Sequence, residues 1–175
     1  MLELLLLRHA KSRWDQSHID DHARDLSARG EAAAPMMGAW LLSRGLVPDL
    51  VLCSTARRAL RTWQLAAARL DPVPETVTCD ELYLAEPPRM LDVVRRRGGT
   101  VRRLMLVGHN PGMHVFANRL VAAGPTAERA RLAEKFPTAG LALIRFAIMD
   151  WADLQPGTGE LLGFWRPRDL AAGGA

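Results

Sequence analysis

The sequence has few cysteines and no long apolar run near its start, and both shortages limit what the protein can be. Only two of its 175 residues are cysteines, Cys53 and Cys79, which excludes a small disulfide-stapled scaffold. The apolar run over residues 4–7 is too short to cross a bilayer, and no basic leader precedes it. We therefore expect no transmembrane helix and no secretory signal, and we expect a cytoplasmic protein.

Lysine is also scarce, although the chain is basic. The net charge is +4, and among 23 basic residues only Lys11 and Lys135 are lysines. An excess of arginine is typical of phosphate binding, either in nucleic acid or in a smaller phosphorylated partner, and it also arises from a bias toward Arg, Ala and Gly. No recognised nucleic-acid-binding module is present, so nucleic acid is the weaker interpretation.

The composition is that of an ordinary globular protein. With 49% apolar and 24% charged residues, the chain is neither disordered nor collagen-like. Its length suits one domain, and no linker, repeat or low-complexity tract divides it. We expect a single domain over residues 1–170 and a frayed tail over residues 171–175.

The pattern of apolar runs predicts an α/β fold. Runs over residues 2–7, 50–53 and 104–107 are typical of strands buried on both faces of a parallel sheet. Helices are predicted over residues 31–44, 57–70, 87–98 and 113–123, and late strands over residues 141–148 and 160–165. Pro35 suggests that the first helix starts later than Ser27 would indicate. These elements predict a three-layer α/β/α sandwich with a mostly parallel central sheet.

Cations and imidazoles follow the three early strands. Arg8 and His9 follow the first, Arg57 and Arg58 the second, and His109 the third. Ligands of open parallel sheets bind beyond the carboxyl ends of the strands, so these side chains should converge there. Gathering several cations without an anion is costly, and a bound phosphoryl group would offset that cost.

These residue types suggest phosphoryl transfer without a metal. A neutral imidazole is a competent nucleophile near pH 7, and guanidinium groups can hold the oxygens of the transferring group. No metal or organic cofactor is implied. His18 and His22 have the i, i+4 spacing of a zinc pair, but their segment reads as a loop and neither cysteine lies at ligand spacing.

Several motifs follow one another along the chain. They are Leu7-Arg8-His9-Ala10-Lys11-Ser12, Trp14, Asp21-x-x-Arg24-x-Leu26-x-x-x-Gly30, Glu81-Leu82-Tyr83, Gly108-His109-Asn110-Pro111-Gly112 and Phe136-Pro137-Thr138-Ala139. In their order and spacing they resemble the histidine phosphatase superfamily in its phosphoglycerate-mutase-like branch, and more narrowly its SixA-type phosphohistidine phosphatases. The similarity runs from residue 4 to about residue 146.

The resemblance implies a phosphoglycerate-mutase-like fold and a set of site residues. His9 would be the phosphorylated nucleophile, through Nε2, and Arg8, Arg58 and His109 would complete the phosphate pocket. The family pattern Ser-x-x-x-Arg-x-x-Gln-Thr, aligned on Ser54 and Thr62, selects Arg58 over Arg57 and puts Arg61 in place of the glutamine. Arg61 could then face the pocket or point outward.

Four further residues have open roles. Glu81 lies where ester-cleaving relatives have a proton donor, but no further acidic motif of the mutases follows it. Asp21 and Arg24 are expected to form a salt bridge in a loop over the pocket. Lys11 is more simply an exposed rim cation than a catalytic group.

The resemblance implies hydrolysis of phosphohistidine on a protein such as a phosphotransfer domain. The lack of a further acidic motif favours such a substrate, because a departing imidazole needs less acid catalysis than an alkoxide. One alternative is a phosphatase or mutase acting on a small phosphate ester, which would depend on Glu81. Another is a non-catalytic module that binds phosphoproteins, which the intact His9 argues against.

Overall fold

A seven-stranded sheet lies at the centre of the protein. The computed structural model describes residues 1–15 and 18–171, and the strand order is β3-β2-β4-β1-β6-β7-β5. The strands are β1 (Leu2–Arg8), β2 (Leu50–Ser54), β3 (Glu75–Cys79), β4 (Arg103–Gly108), β5 (Val121–Ala123), β6 (Leu141–Phe146) and β7 (Gly159–Trp165). The pairs β1–β4, β2–β4, β2–β3 and β5–β7 are parallel, and β6 runs antiparallel to β1 and β7.

Helices cover both faces of this sheet. They are α1 (Ala28–Ser43), α2 (Arg57–Ala67), α3 (Pro87–Arg97), α4 (Gly112–Leu120), α5 (Thr126–Glu134) and α6 (Pro167–Ala171). Leu4 and Leu6 of β1 point into one core, with α3, α4 and α5, whereas Leu5 and Leu7 point into the other, with α1 and α2. The predicted three-layer sandwich is confirmed.

The register of the sheet brings the polar strand ends together. Arg8 of β1 pairs with Gly108 of β4, so the next residues, His9 and His109, emerge side by side. Cys53 of β2 pairs with Val107 of β4, so the next residue of β2, Ser54, lies level with Gly108, directly before His109. Three residues distant in sequence therefore meet at the carboxyl ends of three central strands.

Some element predictions were wrong. Helix α1 begins at Ala28, because the Ser27 hydroxyl caps it by accepting a hydrogen bond from the Gly30 N–H, and the helix keeps Pro35 in its interior. The helix predicted over residues 113–123 ends at Leu120 and gives way to β5. Strand β3 and helix α5 were not predicted.

Two further expectations concern a membrane-spanning helix and the C-terminal tail. No helix in the described part of the chain has the length and apolar character needed to cross a bilayer. The expected tail lies outside the described residues from position 172 onward.

Candidate active site

A cavity of about 340 Å³ opens at the carboxyl ends of β1, β2 and β4. Its walls come from the first loop, from α2 and from the loops after β4 and α5. Among the lining residues are Arg8, His9, Lys11, Ser12, Trp14, Asp21, Arg24, Arg58, Leu84, His109, Asn110 and Thr138. The structure thus brings together four of the five residues predicted for the site, and it does not bring Glu81 to them.

His9 lies at the base of this cavity with one ring nitrogen already engaged. Its Nδ1 is 2.7 Å from the carbonyl oxygen of Ala10, which can only accept, so Nδ1 carries the hydrogen. The lone pair of a neutral ring is then on Nε2. Burial, helped by the charges of Arg58 and Arg8, lowers the pKa of His9 to about 3. His9 is therefore neutral at pH 7.

His109 is the second buried imidazole. Its ring centroid is 5.1 Å from that of His9, and its Nε2 is 2.7 Å from the Ser54 hydroxyl oxygen. Its Nδ1 is buried and has no hydrogen-bond partner within the described residues. Burial first, then His9 and Arg58, lowers the pKa of His109 to about 3. When the Ser54 hydroxyl donates to Nε2, Nδ1 carries a hydrogen for an anion in the cavity.

Arg8 and Arg58 supply the guanidinium groups of the cavity. Arg8 donates from Nη1 to the Phe136 carbonyl over 2.9 Å, while its buried Nε has no partner in the described part of the chain. Arg58 donates from Nη1 to the Asp21 carbonyl over 2.5 Å and from Nη2 to the Asp21 carboxylate over 2.9 Å. Burial lowers the pKa of both arginines, yet a guanidinium stays charged in proteins.

The expected ion pair between Asp21 and Arg24 is present and belongs to a larger network. The Asp21 carboxylate also accepts hydrogen bonds from Arg58 and, over 2.7 Å, from the Tyr83 hydroxyl. Trp14 lies over Arg24, with the guanidinium carbon 3.9 Å from its ring centroid. Asp21 therefore holds two arginines beside the cavity.

The base of the loop that carries Asp21 is closed by backbone contacts. Ser12 and Leu26 form an antiparallel bridge, and the Ser27 N–H donates to the Lys11 carbonyl over 2.8 Å. A Cβ at Gly30 would lie 2.2 Å from that same carbonyl oxygen, so only glycine permits this approach. Gly30 thus brings the start of α1 against Lys11, shortly after the end of β1.

Glu81, Arg57 and Arg61 lie outside the cavity. The Glu81 carboxylate accepts from Arg96 over 2.6 Å and from Arg97 over 3.0 Å, which lowers its pKa. Arg57 pairs with an aspartate of the first loop, and Arg61 donates twice to a glutamate of α1. In the motif Glu81-Leu82-Tyr83, the residue that reaches the site is Tyr83, whose hydroxyl donates to the Asp21 carboxylate. It directly follows the short 3₁₀ turn Asp80–Leu82.

Sequence reasoning assigned no site role to Tyr83, Leu84, Asn110 or Thr138. Three of them line the cavity, and the Tyr83 ring lies 5.7 Å from that of His109. Each of them belongs to or adjoins a motif that carries the resemblance, so the sequence does mark their position. A motif does not tell which of its side chains points into the cavity.

The described residues hold no group of three or more His, Cys, Asp or Glu side chains placed to bind a metal ion. His22 of the considered zinc pair has its Nε2 3.0 Å from the Thr55 hydroxyl oxygen, and its ring packs edge-on against Tyr83. His22 therefore lies beside the cavity, in contact with Thr55 and Tyr83.

Comparison with known proteins points to one family. Residues 4–83 match the family model of the histidine phosphatase superfamily (branch 1). An uncharacterized protein of Mycobacterium tuberculosis is 40% identical over 164 residues, which are 93% of this chain and 100% of that protein.

Solved structures give the same answer. A putative phosphohistidine phosphatase SixA from Agrobacterium tumefaciens is 30% identical with a TM-score of 0.80, and the match covers 95% of this chain and 98% of that one. A putative SixA from Nakamurella multipartitia is 28% identical with a TM-score of 0.80, covering 95% and 96%. The chain belongs to the histidine phosphatase superfamily, and it is a phosphatase with a phosphoglycerate-mutase-like fold.

Proposed function

We propose that this phosphatase removes the phosphoryl group from phosphohistidine on another protein and carries it transiently on His9. The state of His9 is the observation that carries the proposal. Its Nδ1 hydrogen is held by the Ala10 carbonyl, and its pKa of about 3 keeps it neutral, so Nε2 has a free lone pair at pH 7.

The first step is an in-line displacement at phosphorus. A bond forms from His9 Nε2 to phosphorus as the nitrogen–phosphorus bond of the substrate breaks, and the departing imidazole keeps the electron pair and takes a proton from water. Arg8, Arg58 and the Nδ1–H of His109 bind the phosphoryl oxygens, where negative charge is concentrated.

The second step regenerates the enzyme. A water molecule attacks phosphorus of phospho-His9, the bond to Nε2 breaks, and inorganic phosphate leaves. The pocket groups that stabilise the first transition state also stabilise the second, because the same three equatorial oxygens are transferred. Apart from water, the groups that this cycle uses are side chains of the protein.

The acidic groups near the cavity favour a nitrogen–phosphorus substrate over an ester. Glu81 is bound to Arg96 and Arg97 and lies outside the cavity. Asp21 lines the cavity, but its carboxylate oxygens are engaged by Arg24, Arg58 and Tyr83. An alkoxide needs a proton from such an acid to leave, whereas an imidazole departs more readily without one.

The rim of the cavity supports a protein as the carrier of the phosphohistidine. Trp14 and Leu84 line the cavity and are 71% and 52% exposed. Large exposed apolar side chains beside a polar pocket are typical of a contact with another protein. A small phosphate ester would reach the base of the cavity without covering them.

The decisive experiment compares phosphate release from a phosphohistidine protein and from an aryl phosphate. It uses the wild type, His9→Ala and Glu81→Gln, with a chelator present. We expect release that requires His9, prefers phosphohistidine, tolerates Glu81→Gln and survives the chelator. Fast ester cleavage that collapses in Glu81→Gln would replace the proposal with an ester phosphatase. Binding of phosphoprotein without any release would leave only a phosphate-recognition module.

A further inference from the structure

A second cavity, of about 240 Å³, adjoins the first and is lined by basic side chains. The two cavities share Lys11 and Thr138, so they form one continuous depression. We call the second one the basic groove and define it by its six basic residues, Lys11, Arg29, Arg131, Lys135, Arg166 and Arg168. Glu134 is the one acidic residue of its lining.

Two of the six cations are neutralised within the fold. Arg131 and Arg166 donate to the Asp169 carboxylate over 2.6 and 2.8 Å, and Arg131 also donates to Glu128 over 2.8 Å. These contacts fasten α6 to α5 and to the end of β7. Their role is therefore structural.

The other four cations have no such compensation. Lys11, Arg29, Lys135 and Arg168 are exposed, and no ion pair joins any of them to another residue in the described part of the chain. They come from separate segments, namely the first loop, α1, the end of α5 and α6. Four like charges around one depression repel each other, and an anionic partner relieves that repulsion.

The position of the groove indicates what that partner is. A phosphoryl group in the active-site cavity lies directly beside the groove, so the molecule that carries it can contact Lys11 and the residues beyond. A small ester fills only the first cavity, whereas a folded protein presents the surface around its phosphohistidine to both.

We propose that the basic groove binds acidic side chains on the protein that carries the phosphohistidine. The inference rests on the proposed function and names the class of substrate surface, an acidic face next to the phosphorylated histidine. Attraction between the groove and this face raises the rate of encounter and fixes the orientation in which the phosphoryl group enters.

A charge-reversed variant tests the groove without touching the catalytic cavity. The variant Arg29→Glu, Lys135→Glu, Arg168→Glu omits Lys11 because that residue lines both cavities. We expect kcat/KM toward a phosphohistidine protein with an acidic face to fall by about 10- to 100-fold, and turnover of an aryl phosphate or phosphoramidate to stay unchanged. The neutral variant with glutamine at the same three positions should give an intermediate loss.

A matched control has the same change in net charge elsewhere. Arg69, Arg102 and Arg119 are exposed and lie toward the amino ends of the strands, away from the active-site cavity, after α2, before β4 and in the last turn of α4. Their replacement by glutamate should leave protein turnover near the wild-type value. Raising the salt concentration from about 0.02 to about 0.3 M should slow the wild type on the protein substrate and affect the neutral glutamine variant far less.

Equal protein turnover by the groove variant and the wild type would overturn the inference, as would an equal loss in the control. Binding of a fluorescent peptide rich in Asp and Glu separates this inference from the proposed function. If the wild type cleaves no phosphohistidine protein but binds the peptide through the groove, only the proposed function fails. Groove-dependent binding of a single-stranded oligonucleotide in preference to the peptide would replace the acidic protein by nucleic acid.

Discussion

Acidification should leave the two site histidines neutral far below the usual pH of imidazole titration. Burial and the neighbouring arginines lower the pKa of His9 and of His109 to about 3. An ordinary imidazole titrates near pH 6.5, so its neutral fraction falls about 30-fold between about pH 7.5 and about pH 5. With a pKa of about 3 the neutral fraction at pH 5 remains about 0.99, and the nucleophile is retained in full.

Long-range ¹H–¹⁵N NMR of the imidazole rings measures this directly. We expect both rings to stay neutral down to about pH 4 in the anion-free enzyme, with the His9 hydrogen on Nδ1. The same histidines in the urea-unfolded chain, titrating near pH 6.5, are the control. A midpoint above about pH 5 for either ring, or a His9 hydrogen on Nε2, would refute the reasoning.

Three further outcomes follow from the structure. The pKa of both site histidines is lower in the folded protein than the unfolded value of about 6.5, so the unfolded chain binds more protons and the free energy of unfolding decreases as the pH falls from 6.5 toward 3. Urea denaturation at pH 5 should show a decrease of about 2 kcal/mol for each histidine relative to neutral pH. His109→Asn should remove the part of this decrease that is due to His109. Asp21→Asn removes the negative charge beside Arg58, so inorganic phosphate should inhibit several-fold more strongly in steady-state kinetics. The same assay should show a lower kcat, because Arg58 loses the carboxylate that holds it in place. Gly30→Ala places a methyl group 2.2 Å from the Lys11 carbonyl oxygen and should lower the free energy of unfolding by about 2 kcal/mol or more in the same urea assay.

The sequence predicted the central strands because their burial leaves a direct trace. In β1, four consecutive leucines, Leu4 to Leu7, are fully buried, as a strand covered on both faces requires. Strand β3 has no such trace, since three of its five residues, from Glu75 to Cys79, are exposed at the sheet edge. Helix α5 was hidden for a similar reason, because Leu132 is its one buried residue.

The candidate site was predictable to the extent that strand ends determine it. His9 and His109 adjoin buried strands in a parallel pair, so their convergence follows from topology. The direction of Glu81 did not follow, because it depends on ion pairs with Arg96 and Arg97 a full helix away in sequence. The network around Asp21 was equally hidden, since Tyr83 reaches it from a separate segment.

The backbone bridge between Ser12 and Leu26 makes the intervening segment a replaceable part. Both ends of that segment are fastened to the scaffold, whereas Asp21 and Arg24, which it carries, form one wall of the cavity. A different segment grafted between the same two anchor points would reshape that wall while the sheet, His9 and His109 keep their positions. New substrate preferences can therefore arise here by exchange of a single stretch of chain, provided that the new stretch keeps the carboxylate that holds Arg58.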